Sequence, residues 1–426
     1  MEININEAVV AHQEGRLEEA ERLYRSALEN QPTNSIIRNN LGVALQGLGR
    51  LDEAEASYRK AIELKPDYFE AHLNLGNLLK GLGRLKEAEV SYRQAITSKP
   101  DYAEAHNNLG ITLKMLGRLE ESEASLRLAT TSKPGLAEIH NNLGVTLHEL
   151  GKLEEAEVSY RQAITLEPGF VEAHLNMGKN FKKIGKINEA AKYFEQALKI
   201  NPNDHLGAAL ELASIGKKNI PNKTPQNYMQ NFYHLQSKTW GHVNATKYYG
   251  HKLIENAFRQ AHIDSNEIDI LDLGCGNGIL ASFLRPYARK LVGVDLSQDM
   301  IIEADKTHLY DSLHNEELDR YLDKSSEYYD TVVAAAVMIH FYDLENTFSL
   351  IKNSLKVNGK FIFSIFEGKK KDKELNFFHM YSHSDNYVSA LADRLKFKIN
   401  YKQKGIHEYH KEVPIDALIY VFQKRI

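Results

Sequence analysis

An all-α solenoid of helix pairs followed by a doubly wound α/β domain is the architecture this sequence predicts, and three observations carry it. Prolines recur every 34 residues through the first half, at Pro32, Pro66, Pro100, Pro134, Pro168 and Pro202. Glycines keep the same period at Gly15, Gly49, Gly83, Gly117, Gly151 and Gly185, and again at Gly42, Gly76, Gly110, Gly144 and Gly178, where Ala8 stands in the first unit. From residue 268 onward the pattern changes to short apolar runs alternating with helical stretches, as in a mostly parallel sheet.

Bulk properties set the limits. A length of 426 residues favours two or three domains, and 42% hydrophobic content is enough for real cores. The net charge of -4 comes from interspersed acids and bases, which gives no electrostatic reason to expect nucleic acid or an anionic membrane as partner. The single cysteine, Cys275, excludes an intrachain disulfide and a cysteine-based zinc site, and no metal site is expected. Without a basic or apolar leader or a membrane-length apolar run, a cytoplasmic protein is the expectation.

Each 34-residue period reads as two helices. A glycine such as Gly49 caps the first in a left-handed turn, and the proline after the second stops it because it cannot continue the hydrogen-bond ladder. Small residues such as Gly76 and Ala88 let paired helices approach, while Tyr58, Tyr92, Leu126, Tyr160 and Phe194 supply bulk. Ser122 departs mildly from the alanines at Ala20, Ala54, Ala88, Ala156 and Ala190. Segments such as 71–79 and 83–96 resemble tetratricopeptide repeats, and the resemblance covers six units over residues 1–202. A helix in 203–216 is expected to cap the last repeat, and 217–226, with two prolines and no periodicity, reads as a linker.

Asn6, Asn40, Asn74, Asn108, Asn142 and Asn176 form another 34-residue series. Asparagine is a mediocre helix former, so no structural reason for the series is visible in the sequence. In superhelices of the protein O-GlcNAc transferase type, asparagines two residues before the repeat glycine bind an extended peptide, and this series is similar. The resemblance implies a protein or peptide held by Asn40, Asn74, Asn108, Asn142 and Asn176. Recent duplication would leave the same pattern, as it would the histidines His72, His106, His140 and His174.

The second domain, 227–426, opens with an aromatic segment containing Tyr228, Phe232, Tyr233, Trp240, Tyr248 and Tyr249. These read chiefly as packing, with Tyr249 a candidate to lie across a ligand. Strands are predicted at Ile268–Leu273, Leu291–Val294, Asp330–Ala335 and Lys360–Ile365, with helices at Leu280–Leu284, Met300–Asp305 and Leu344–Leu355. Lys396–Tyr401 and Ala417–Phe422 close the sheet.

The first strand runs into Gly274-Cys-Gly-Asn-Gly278, and the second ends on Asp295 about seventeen residues later. A strand, a glycine turn and a helix let the backbone approach a nucleotide, and the acid suits ribose hydroxyls. A dinucleotide fingerprint would need a third glycine where Ile279 stands. The lysine of a phosphate loop is also absent, and Asp272 before the turn is a poor neighbour for pyrophosphate but a good one for a cation.

Asp272-Leu-Gly-Cys-Gly-Asn-Gly278 followed by Val292-Gly-Val-Asp-Leu-Ser297 resembles the first two motifs of class I S-adenosylmethionine-dependent methyltransferases. Residues 309–314, 332–337 and 381–384 resemble the subgroup fused to tetratricopeptide repeats. The resemblance implies a Rossmann-like methyltransferase domain binding S-adenosyl-L-methionine. By that resemblance Gly274, Cys275, Gly276 and Gly278 cradle the methionine and ribose parts, and Asp272 lies near the amino group. Asp295 takes the ribose, Leu296 lies beside the adenine, Glu317 (or Glu316) near the adenine amino group, and Ala335, a further cofactor-binding residue, begins the acceptor-facing loop. Cys275 reads as a packing residue of the turn rather than a nucleophile.

Methyl transfer is an in-line displacement in which positioning supplies about 7–11 kcal/mol, and a base adds roughly 10²–10⁴-fold. No base is therefore required. His340 reads either as a base or as a buried, hydrogen-bonded histidine, and His383, by the subgroup resemblance, as a second candidate. The loop after the fourth strand has no Asn-Pro-Pro-Tyr-type signature, and the lysine run 369–373 reads as a solvated loop. Three functions fit: a methyltransferase whose repeats recruit a protein or peptide, a non-catalytic scaffold, or a small-molecule methyltransferase whose repeats only oligomerise.

Overall fold

A computed structural model describes residues 5–237, 248–261, 263, 267–376, 379–410 and 413–425, with Trp240, Phe377 and Phe378 outside them. The chain divides into two compact units, 1–193 and 194–426. No helix among the described residues is long and apolar enough to cross a membrane.

Six helix pairs run from Ile5–Gln13 with Leu17–Asn30 to Val171–Ile184 with Ile187–Ile200. The glycines between paired helices have φ from 75° to 89°, the left-handed turn the sequence predicts. Close approach within a pair rests on the second glycine series. A Cβ at Gly76 would fall 2.6 Å from the Tyr92 ring, and one at Gly110 2.6 Å from Leu126. Tyr58, Tyr92 and Tyr160 are fully buried in these contacts. Ser122 is buried where its neighbours in the series are alanines, and its hydroxyl donates to Gly110 O at 2.7 Å.

Successive repeats are also tied through polar groups. Arg50 bridges Glu21 of the preceding repeat and Glu53 of its own, both at 2.7 Å, and Arg84 does the same with Glu55 and Glu87 at 2.6 Å. The histidine series has a structural role: Nε2 of His72, His106, His140 and His174 lies 2.8–2.9 Å from the carbonyl of the proline six residues earlier. Each ring pins the turn that enters its own helix.

The second unit is built on a nine-stranded sheet. Its strands are β1 (Ile268–Leu273), β2 (Ala288–Asp295), β3 (Ser312–Asn315), β4 (Tyr329–Ala334), β5 (Leu355–Glu367), β6 (Lys373–Leu375), β7 (Tyr381–His383), β8 (Phe397–His410) and β9 (Val413–Lys424). β3, β2, β1, β4 and β5 are parallel neighbours in that order. β9 pairs antiparallel with β5 and β8 antiparallel with β9, while β7 pairs parallel with the last residues of β5. Strand alternation sends Leu271, Leu273, Val332 and Phe363 to one face and Ile270, Leu291, Val333 and Ile362 to the other. The helices Leu318–Lys324, Glu345–Ser354 and Asp385–Arg394 cover the first face, and Gly250–Gln260 and Ala281–Leu284 the second. Covered on both faces, these strands read as apolar runs, which is why the sequence reveals them.

The helix Ala208–Ser214 belongs to this second unit. There Asn227 Nδ2 donates to Asn203 O at 3.0 Å, a Cβ on Gly207 would meet Tyr228, and Glu211 lies 3.4 Å from His379 Nε2. The segment 217–226 is bonded to the loop after β4. Thr224 N–H donates to His340 O and Tyr342 N–H to Asn222 O, both at 2.8 Å, and the Tyr381 hydroxyl donates to Pro221 O at 2.7 Å.

Candidate active site at the carboxyl ends of the parallel strands

β1 leaves the sheet through a turn built on three glycines. Gly274, Gly276 and Gly278 all have positive φ, and a Cβ on Gly274 would fall 2.2 Å from Val337. The turn folds over the end of β2, where Asp295 holds it: Oδ2 accepts from Gly276 N–H at 3.0 Å and Oδ1 from Ser297 N–H at 2.8 Å. Burial raises the Asp295 pKa, and these backbone donors oppose the rise.

Asp272 stands on the other side of the turn and is 1% exposed. Its Oδ2 accepts from the Tyr310 hydroxyl at 2.7 Å. Burial pushes its pKa up to about 7, Tyr310 opposes that rise, and Asp295 adds to it. Cys275 is buried with its thiol raised by burial and by both carboxylates, so it packs the turn rather than attacking.

A cavity of about 980 Å³, its open mouth included, lies against these groups. Of the residues the sequence singles out, Asp272, Gly274, Cys275, Gly276, Asp295, Leu296, Glu317, Ala335 and His340 line it, as does Glu316. The Glu317 carboxylate caps the helix Leu318–Lys324 through Arg320 N–H at 3.0 Å and pairs with Lys223 at 3.0 Å. Among the described residues no lysine or arginine lines the cavity.

Two candidates are placed elsewhere. Gly278 closes the turn, its N–H donating to Cys275 O at 3.0 Å, and does not line the cavity. His383 is 0% exposed on β7, opposite Glu367 of β5, with its ring stacked on Tyr387 at 5.6 Å and Nε2 3.3 Å from Tyr342 O. The β5–β7 pairing keeps it out of the cavity.

Sequence reasoning missed Met229, Tyr233 and Tyr248, which line the cavity from the aromatic segment. Tyr249, the residue singled out there, instead donates its N–H to His407 O at 2.7 Å and packs edge-on against Tyr409. The Tyr233 hydroxyl and His340 Nε2 share a 2.7 Å hydrogen bond, and His340 Nδ1 is 3.4 Å from Thr224 Oγ1. Burial lowers the His340 pKa to about 4, so the imidazole is neutral at pH 7.

In the repeats, the asparagine series has a structural reason after all. Nδ2 of Asn74, Asn142 and Asn176 donates at 3.0 Å to Asn39, Asn107 and Asn141 of the preceding repeat, and Asn108 donates to Asn77 at 2.9 Å. The Asn39 amide lies 3.4 Å from Asn40 Oδ1.

A family model described as a methyltransferase domain matches residues 244–392. Models described as tetratricopeptide repeats match 11–57, 47–83, 76–117, 103–135, 137–170 and 171–204. The chain joins a tetratricopeptide array to a methyltransferase domain.

An uncharacterized methyltransferase of Schizosaccharomyces pombe is 31% identical over 114 residues, 24% of this chain and 40% of that protein. A ubiquinone biosynthesis O-methyltransferase of Bradyrhizobium diazoefficiens is 29% identical over 165 residues, 37% of this chain and 57% of that protein. The match thus spans about half the length of these relatives. Among solved structures, YrrB, a repeat protein with an unusual peptide-binding site, has 24% identity and a TM-score of 0.39 over 43% of this chain and 95% of its own.

Proposed function

We propose that this chain is an S-adenosylmethionine-dependent methyltransferase whose repeats recruit a protein or peptide partner. One observation carries the cofactor reading: a buried carboxylate, Asp272, and a half-buried one, Asp295, flank a glycine turn in a cavity lined by no described lysine or arginine. Acids with no cation beside them among the described residues fit a ligand that brings its own positive charge, and disfavour one that brings phosphates. S-adenosylmethionine supplies a methyl carbon activated by a sulfonium. Asp272 would hold its ammonium, Asp295 its ribose hydroxyls, and Leu296 and Glu317 the adenine, while the Gly274–Gly278 backbone lets the ligand approach.

Tyr233 and His340 supply a neutral proton path in the same cavity. An acceptor hydroxyl can pass its proton to Tyr233 Oη as the Tyr233 proton moves to His340 Nε2. A hydroxyl acceptor agrees with the O-methyltransferase among the relatives.

Calorimetry with S-adenosylmethionine on the wild type and Asp295→Ala tests the cofactor assignment. Loss of charge-assisted hydrogen bonds should weaken binding by about 1.5–3 kcal/mol, and equal affinities would sink the assignment. Labelling a lysate with radioactive cofactor then asks whether the methyl group enters protein or small molecules. Bound cofactor with no transfer to either would favour a scaffold.

A further inference from the structure

Tyr310 lies outside both glycine motifs, in the loop between the helix Gln298–Asp305 and β3, yet its side chain crosses β2 to reach the end of β1. The route exists because Gly293 clears it, with Gly278 against the ring's other edge. A Cβ on Gly293, in the middle of β2, would fall 2.9 Å from one edge of the Tyr310 ring, and a Cβ on Gly278 3.4 Å from the other. Glycine inside a strand weakens it and marks a close approach, and at Gly293 part of what approaches is this ring. The hydroxyl then arrives 2.7 Å from Asp272 Oδ2.

We propose that Tyr310 is the positioning residue for the cofactor's amino group: by donating to Asp272 Oδ2 it orients the carboxylate and leaves Oδ1 to take the ligand's ammonium. The inference rests on reading the cavity as a cofactor site. The other groups facing Asp272 cannot do this. Asp295 repels its charge, the Cys275 thiol is kept protonated by burial and by the two acids, Tyr248 acts on it only at longer range, and its sheet neighbours are Gly293 and Val333. Asp269, on the same strand, is bonded to Arg289 and Lys356 at the opposite end. Among the described residues Tyr310 is thus the donor that favours the ionised form, and without it Asp272 stays protonated to higher pH. Binding an ammonium requires the ionised form, so affinity falls as pH falls through the Asp272 titration.

Calorimetry on the full chain with two probes tests this. S-adenosylhomocysteine carries the amino group, while 5′-methylthioadenosine keeps the adenosine and lacks it. Tyr310→Phe retains the ring between the two glycines and removes only the hydroxyl. It should weaken S-adenosylhomocysteine roughly tenfold at pH 7, move the midpoint of its pH dependence up by about one unit, and leave 5′-methylthioadenosine unchanged. In an Asp272→Asn background the same substitution should have no further effect, since the two residues act as one unit.

Unchanged affinity and pH profile in Tyr310→Phe would overturn the proposal. So would equal weakening of both probes, or the same loss with and without Asp272, because either reduces Tyr310 to packing. A wild type that binds neither probe would refute the cofactor reading itself.

Discussion

Asp272 keeps a carboxyl group almost wholly out of water, and the cofactor-free protein should register the cost. Its pKa is raised to about 7 in the folded state, so between about pH 4 and 7 the folded protein holds a proton that the unfolded chain has released. Stability contributed by that proton is lost as pH rises through the window, and the loss is complete above it. Asp272→Asn removes the titration while still accepting from Tyr310. Without cofactor it should be more stable than wild type at pH 8 by about 1–3 kcal/mol, with the gain shrinking toward pH 4, as read from thermal melts. The placement of Asp272 and Asp295 beside the turn is legible in the sequence because strand, turn and acid lie within one local pattern. Tyr310 and Tyr233 are not, because their partners lie 38 and 107 residues away and only the folded sheet brings them together. His383 is the converse case: its family pattern is visible, but its burial on β7 is a tertiary fact.

Among elements, the helix pairs and the central strands follow from periodicity. β3 does not, because its four half-buried or exposed residues at the sheet edge leave no apolar run to read. Nor do β6 and β7, at three residues each. Two glycines of the helix Phe69–Gly81 separate packing from propensity. Gly76→Ala drives a methyl group into the Tyr92 ring and should destabilise by about 1–3 kcal/mol. Gly81→Ala meets nothing within 4 Å and should stabilise by about 0.5 kcal/mol through lost backbone freedom in the unfolded chain. Circular dichroism melts of the two variants give the comparison. The reverse order would mean that Tyr92 can move aside.

For the whole molecule, the helix Ala208–Ser214 decides where the second unit can be cut. Removing residues 1–186 keeps that helix, and the remaining chain should bind S-adenosylmethionine with wild-type affinity. Removing 1–216 also takes Glu211 from His379 and Gly207 from Tyr228, next to the aromatic segment that lines the cavity. That shorter chain should melt several degrees lower (roughly 1–2 kcal/mol for a domain of this size) and bind more weakly. Equal behaviour would make the helix dispensable. If the 187–426 chain also turned over its acceptor at the full rate, the recruiting role of the repeats would be wrong.

The joints between repeats have one more consequence. Arg50 with Glu21 and Arg84 with Glu55 are the same fastening used again one step along, and Asn74 with Asn39 and Asn142 with Asn107 are one asparagine pair used again two steps along. Through the cation–glutamate joints, a unit excised from the interior would leave flanking units whose halves still match, and a unit added would find its partners on both sides. The array is in effect a ruler graduated in steps of 34 residues, whose length can change while the glycine turn and its two acids stay as they are.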